Sequence, residues 1–234
     1  MSYEANAHEA QMAILKHLLL VPSAGFAELQ KNTDLTSDHF NFHIKKLVDT
    51  GYVEKDDAGN YVLSRAGKEY ANRMDTDEKQ IEKQPKISVA LIIEDEQGRV
   101  LAQQRLKQPY FGYWGRPTGK IRWGEELQTA AARELLEETG LTADLRVAGL
   151  YHKMDYDKSS GDMLEDKIFV LVHGTNPKGE LIVDGEGCHN EWLSDEEFHA
   201  KGKVFQSVKE ITAMVQKPTM EFMEHKYEYD SSEY

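Results

Sequence analysis

Residues 119–141 read GKIRWGEELQTAAARELLEETGL. The run from Glu125 to Thr139 favours a helix, and Gly140 is the residue type expected just past its end. On such a helix Glu134, Glu137 and Glu138 fall within an arc of about 100°. Three like charges that close repel one another. Divalent cations relieve that repulsion, and Mg²⁺ takes carboxylate and phosphate oxygens as ligands. Arg133 stands four residues before Glu137, within pairing reach on a helix. The plain alternative is a solvated acidic face that holds nothing.

The elements that must position this helix can be read from its flanks. Residues 87–93, ISVALII, and 99–104, RVLAQQ, predict two strands around a Glu96-Gln97-Gly98 turn. Residues 167–173, KIFVLVH, predict a buried strand, Glu191-Trp192-Leu193 a short one, and 203–216 a closing helix.

The spacing Gly119, Glu125, Arg133-Glu134-Leu135, Glu137-Glu138 and Gly140-Leu141 resembles the Nudix box at each of its specified positions. A chance match at one start is roughly one in a billion. The resemblance extends over about residues 85–217 and implies an α/β/α sandwich around a mixed sheet. It implies hydrolysis of a nucleoside diphosphate linked to another group, with Mg²⁺ or Mn²⁺ as cofactor. By the same resemblance Glu137 and Glu138 are metal ligands, and Glu134 is a ligand or the general base. Arg133 orients a carboxylate, and the Gly119 carbonyl completes the metal shell. Residues 187–195, GCHNEWLSD, resemble a segment of mutator-type members in which the Glu is a further ligand. That match falls on Glu191, with Glu186 as the neighbouring alternative. Cations that bridge a pyrophosphate neutralise it and lower the pKa of a bound water. Pro117-Thr118-Gly119 replaces the Pro-Gly-Gly that many members carry.

Substrate identity is less legible. Tyr110, Phe111, Tyr113 and Trp114 precede the box. Tyr113 and Trp114 are the candidates on which a base stacks, and packing under the sheet is the competing reading. The downstream Pro of ADP-ribose pyrophosphatases is missing between residues 142 and 176, and so is the longer downstream signature of NADH pyrophosphatases. Tyr151 and Tyr156 lie where dinucleoside polyphosphate hydrolases carry a Tyr. His152 and His173 read as packing or surface residues.

Upstream, the order is helix (8–21), helix (26–33), helix to about Thr50, hairpin around Asp57-Ala58-Gly59-Asn60, then helix. Thr36 or Ser37 is the expected N-cap of the third helix. Phe40, Ile44 and Leu47 give that helix one apolar face. The order over residues 8–75 resembles a winged helix-turn-helix domain. It implies a third helix that can enter the major groove, with His39, Asn41, Lys45 and Lys46 outward. Asn reads adenine and Lys contacts phosphate or guanine. Against this, Glu54, Asp56 and Asp57 in the hairpin repel phosphate, and such domains also serve assembly.

The organisation expected is therefore α+β: a winged helix-turn-helix domain over 1–75 and a charged linker over 76–85. A Nudix domain follows over 86–217, then an acidic tail over 218–234. Seven of the thirteen residues in 73–85 are charged. The chain has 234 residues, 40% hydrophobic and 29% charged, which excludes a disordered or collagen-like chain. Its net charge of −13 argues against whole-molecule affinity for a polyanion. Residues 1–75 hold 8 Lys and Arg against 11 Asp and Glu, and the rest hold 20 against 30. No apolar run spans a membrane, no secretory leader is seen at the start, and the lone Cys188 suits a reducing cytoplasm. A homodimer is expected, because two-fold DNA sites and many Nudix domains use pairs. The competing function is a regulator in which the winged helix binds DNA and the Nudix domain senses a nucleotide.

Overall fold

The computed structural model describes residues 9–33, 35–75, 80–81 and 83–234. The chain forms two compact units, Met1–Lys83 and Gln84–Tyr234.

In the first unit, α1 (Glu9–Leu20), α2 (Phe26–Lys31) and α3 (Ser37–Asp49) precede a hairpin of β1 (Val53–Lys55) and β2 (Tyr61–Leu63), then α4 (Arg65–Ala71). One cluster, including Ile14, Leu15, Leu29, Phe40, Ile44, Leu47 and Leu63, holds them together. Phe40, Ile44 and Leu47 are the buried stripe of α3, as their spacing predicts. Thr36 stands at the N-cap of α3 but makes no capping hydrogen bond through its side chain. Gly51, at φ +76°, takes the left-handed turn that ends the helix. Asp56 builds the hairpin turn, where its Oδ1 accepts from the Ala58 and Asn60 amides. The expected linker lies partly outside the described residues. β4 (Gln80–Ile81) lies within it and pairs antiparallel with β3 (Met74–Asp75), just before it.

The second unit has two sheets. The first has the order β13–β9–β10–β5–β8, made of β5 (Lys86–Ile93), β8 (Thr118–Lys120), β9 (Leu141–Asp157), β10 (Met163–Gly179) and β13 (Glu221–Tyr229). It is mixed: β10 with β5 and β13 with β9 are parallel, and the other pairs are antiparallel. The second has the order β11–β12–β6–β7, made of β6 (Val100–Arg105), β7 (Trp114–Gly115), β11 (Asp184–Gly185) and β12 (Cys188–Leu193). The helices are α5 (Leu127–Thr139), α6 (Asp195–His199) and α7 (Val208–Val215), with a final 3₁₀ turn at Ser231–Glu233.

Strand β5 is apolar on both faces because helices cover both. Val89, Leu91 and Ile93 join Ala130, Ala131 and Leu135 of α5 in one cluster. Ala90 and Ile92 join Ile211, Met214 and Val215 of α7 in the other. This is the α/β/α layering expected. One expectation is corrected. Residues 218–234 are not a tail that trails the domain. Most of them form β13, an edge strand whose Tyr227 and Tyr229 are buried. Its alternation of charged and aromatic residues reads as acidic in composition but buries one side on the sheet.

Candidate active site

Helix α5 carries the carboxylates, and its burial fixes which way they point. Ala130, Ala131 and Leu135 face the sheet, so Glu134, Glu137 and Glu138 fall on the flanks and outer side. Gly140 ends the helix at φ +73°. Gly119 on β8 lies against Glu134 so closely that an added Cβ would sit 1.9 Å from its carboxyl carbon. A larger residue there would push the Glu134 carboxylate out of this place.

Arg133 is the centre of the acidic cluster. It forks onto Glu125, with Nε to Oε1 at 2.7 Å and Nη2 to Oε2 at 2.8 Å. Its Nη1 donates to Glu134 at 2.7 Å and to Glu137 at 3.0 Å, and Nη2 to the Lys120 carbonyl at 3.1 Å. The bidentate contact holds the Glu125 carboxyl down at about 2. Glu125 precedes the helix and is clasped by a turn in which Glu125 N donates to Arg122 O and Arg122 N to Glu125 Oε2. The Arg122 guanidinium reaches Glu137 at 3.3 Å. Sequence reasoning placed Arg133 beside Glu137 but missed its stronger tie to Glu125. The contact spans a turn, which helical spacing cannot show.

Glu138 points elsewhere, toward β6 and β12. Its Oε2 accepts from Gln103 Nε2 at 3.2 Å and from the Cys188 thiol at 3.5 Å. Burial, then the neighbouring Glu138, raises the Cys188 pKa. Among the described residues, no group of three or more His, Cys, Asp or Glu side chains is arranged to hold a metal ion. The donor chemistry nevertheless fits one. Glu125, Glu134 and Glu137 pair with Arg122 and Arg133, and Glu138 has no cationic partner, so four carboxylates and two guanidiniums leave two negative charges among hard oxygen donors.

Glu191 is not brought to this cluster. Asn190 and Trp192 face α5, where Asn190 bonds the Glu138 carbonyl and Trp192 joins the α5 core. Side chains alternate along a strand, so Glu191 and Leu193 face the opposite side, with Trp114 and Phe198. There Glu191 pairs with Lys201 at 2.8 Å and His189 at 2.9 Å. Those partners, Lys201 foremost, lower its pKa. The matching residue word is present, but the strand turns it away. Glu186 lies exposed in the turn between β11 and β12.

Tyr113 and Trp114 are also corrected. Each is only 6% exposed. Tyr113 packs on Phe205 at 4.9 Å and bonds Glu233, while Trp114 lies under the Lys201 ammonium at 4.1 Å. Neither offers a free ring face. The adjacent Tyr110 instead lines a cavity of about 90 Å³, with Gln103, Thr118, Tyr151, Lys153 and Asp155 among the other wall residues. Lys153 is buried and paired with Asp155, which also accepts from the Tyr110 hydroxyl at 2.9 Å. Burial lowers the Lys153 pKa. The period-two spacing of Tyr151, Lys153 and Asp155 was the available signal, once β9 was known to run that far.

The NUDIX domain model matches residues 84–214, more than half of the chain, and the chain belongs to that family. A model described as a domain of unknown function (DUF7347) matches residues 2–74. An RNA pyrophosphohydrolase from Erythrobacter litoralis is 41% identical over 69 residues, 29% of this chain and 42% of that protein. An isopentenyl-diphosphate Delta-isomerase from Serratia proteamaculans is 36% identical over 97 residues, 38% of this chain and 52% of that protein. The chain thus spans about half the length of these curated relatives. A solved MutT protein from Bacillus halodurans shares the fold at 20% identity and a TM-score of 0.51, covering 64% of this chain and 93% of that one. No helix among the described residues is long and apolar enough to cross a membrane.

Proposed function

We propose that the second unit hydrolyses a phosphoanhydride bond in a nucleoside diphosphate linked to another group. The observation that carries this reading is the uncompensated carboxylate surplus on α5, set beside a cavity that shares Gln103 with it. Glu134, Glu137, Glu138 and the Gly119 carbonyl are the groups that would hold Mg²⁺ or Mn²⁺. Bound there, the cation neutralises the diphosphate and acidifies water. Arg133 bridges Glu134 and Glu137 through one nitrogen and orients both. Glu134, pressed against Gly119, has a fixed place from which to bind the cation or take a proton. The cavity between the Tyr110, Tyr151, Phe169 and Phe205 rings, with Lys153 and Asp155 in its wall, has room for only a small part of the group beyond the diphosphate.

The test is phosphate release from a panel with Mg²⁺ and then Mn²⁺, beside a Glu138→Gln control. ADP-ribose, NADH, dinucleoside polyphosphates, nucleotide sugars and nucleoside triphosphates, normal and oxidised, make up the panel. A substrate turned over by the wild type alone supports the reading. Silence on every compound rejects it.

The first unit supports a second role, as a winged helix-turn-helix module on DNA. His39, Asn41, Lys45 and Lys46 are all exposed on α3, away from its buried stripe. Asp56, which opposes phosphate, is partly occupied by the turn it builds and by Ser23 at 2.9 Å. A homodimer would present two such helices to a two-fold site. A salt-sensitive DNA shift, lost in Lys45→Ala/Lys46→Ala, supports this role. No shift at low salt removes it.

A further inference from the structure

Gln103 sits on β6 directly opposite Asn190 on β12. Asn190 is fully buried, and its Nδ2 donates to two backbone carbonyls, Glu138 O at 2.9 Å and Ile182 O at 2.8 Å. That leaves Asn190 Oδ1 as an acceptor, which Gln103 Nε2 fills at 3.1 Å. The network therefore sets which end of the Gln103 amide carries the nitrogen. The same Nε2 donates to Glu138 Oε2 at 3.2 Å. A chain of hydrogen bonds runs from the backbone at the end of α5, through Asn190 and Gln103, back to the carboxylate of Glu138. Gln103 also forms part of the cavity wall.

We propose that Gln103 is a positioning residue that holds the Glu138 carboxylate in place for the cation, from a strand that also walls the substrate cavity. This rests on the hydrolase reading above. A free glutamate side chain at a helix end samples several rotamers, and fixing one before the cation arrives removes an ordering cost on binding. Outer partners of metal ligands typically contribute about 10–100-fold in affinity. Gln103 is not a catalytic residue in this account, because its bonds go to Glu138 and Asn190 and none to reacting atoms.

The test uses the full chain, wild type and Gln103→Met, with Gln104→Met as control. Met matches Gln in length but donates nothing. Gln104 is the next residue on β6, and its amide bonds the Gly112 carbonyl at 3.2 Å instead. Free Mn²⁺ is followed by its spectroscopic signal during titration without substrate, and turnover is then measured against Mn²⁺. Expected are an Mn²⁺ affinity about tenfold weaker in Gln103→Met and a kcat restored to within about threefold at saturating Mn²⁺. The melting temperature of Gln103→Met falls by several degrees at most, since Asn190 Oδ1 loses its donor, and Gln104→Met binds Mn²⁺ like the wild type. Mn²⁺ binding by Gln103→Met within about twofold of wild type overturns the proposal. A kcat that stays low at saturating Mn²⁺ overturns it as well. No Mn²⁺ binding by the wild type would reject the metal reading of the site itself, and this inference with it.

Discussion

The end of α5 and the outer face of β12 both carry glutamates at spacings that suggest metal ligands, and the two regions are built differently. At α5, three carboxylates share two guanidiniums, and a fourth, Glu138, turns from both toward an amide and a thiol. At β12, Glu191 has the Lys201 ammonium and one nitrogen of the His189 imidazole, whose other nitrogen pairs with Asp184. The first region retains negative charge without a cationic partner, and the second has its charge matched by its neighbours. An acidic residue in the right word is thus a weaker sign of a ligand than an acidic residue left without enough partners.

The sharpest way to break this comparison is to neutralise one glutamate from each side. Glu138→Gln is expected to lower kcat/KM at least about a hundredfold, since a lost ligand removes several kcal/mol of charge stabilisation. Steady-state kinetics on whichever panel substrate responds will show it. Next comes Arg133→Lys. A single ammonium cannot fork onto Glu125 while reaching Glu134 and Glu137, so activity should fall about tenfold. A metal titration of that variant would show whether the loss lies in the carboxylates' orientation. Glu191→Gln should stay within about twofold of wild type in turnover, because its partners lie on the face turned from α5. If Glu191→Gln instead lost as much activity as Glu138→Gln, the contrast between the two regions would collapse.

The smallest effect concerns the edge strand β13. His152 bridges Asp166 at 2.8 Å and Glu224 of β13 at 2.7 Å, and these partners, Asp166 first, raise its pKa above 6.5. A raised folded pKa means the protonated form stabilises the fold. That contribution is complete below about pH 6.5 and fades as pH climbs through the raised value. Melting curves across this window should show a modest decline that His152→Gln lacks.

The structure places the helix of the acidic box, its glycine stop and the strand before it close to where their residue patterns predict. Those signals are local, set by helical spacing, strand alternation and a glycine's conformational freedom. The errors share one cause. Glu191 follows from the resemblance of its segment, and Tyr113 and Trp114 from residue type and nearness to the box, but strand register and neighbouring elements decide which face each side chain takes. Residues 218–234 were judged by acidic composition, which hides the alternation that lets Tyr227 and Tyr229 pack.

What the sequence by itself determined is the chemistry available: a row of glutamates on one helix, an arginine among them, and a glycine at each end of the segment that carries them. Only the tertiary structure decided how that chemistry is shared out. It turned Glu191 to Lys201, set Gln103 and Asn190 across from one another to hold Glu138, and enclosed Lys153 with Asp155 in a cavity. Each of these joins residues far apart in the chain, and such pairings depend on sheet register and layer packing, which no local pattern encodes.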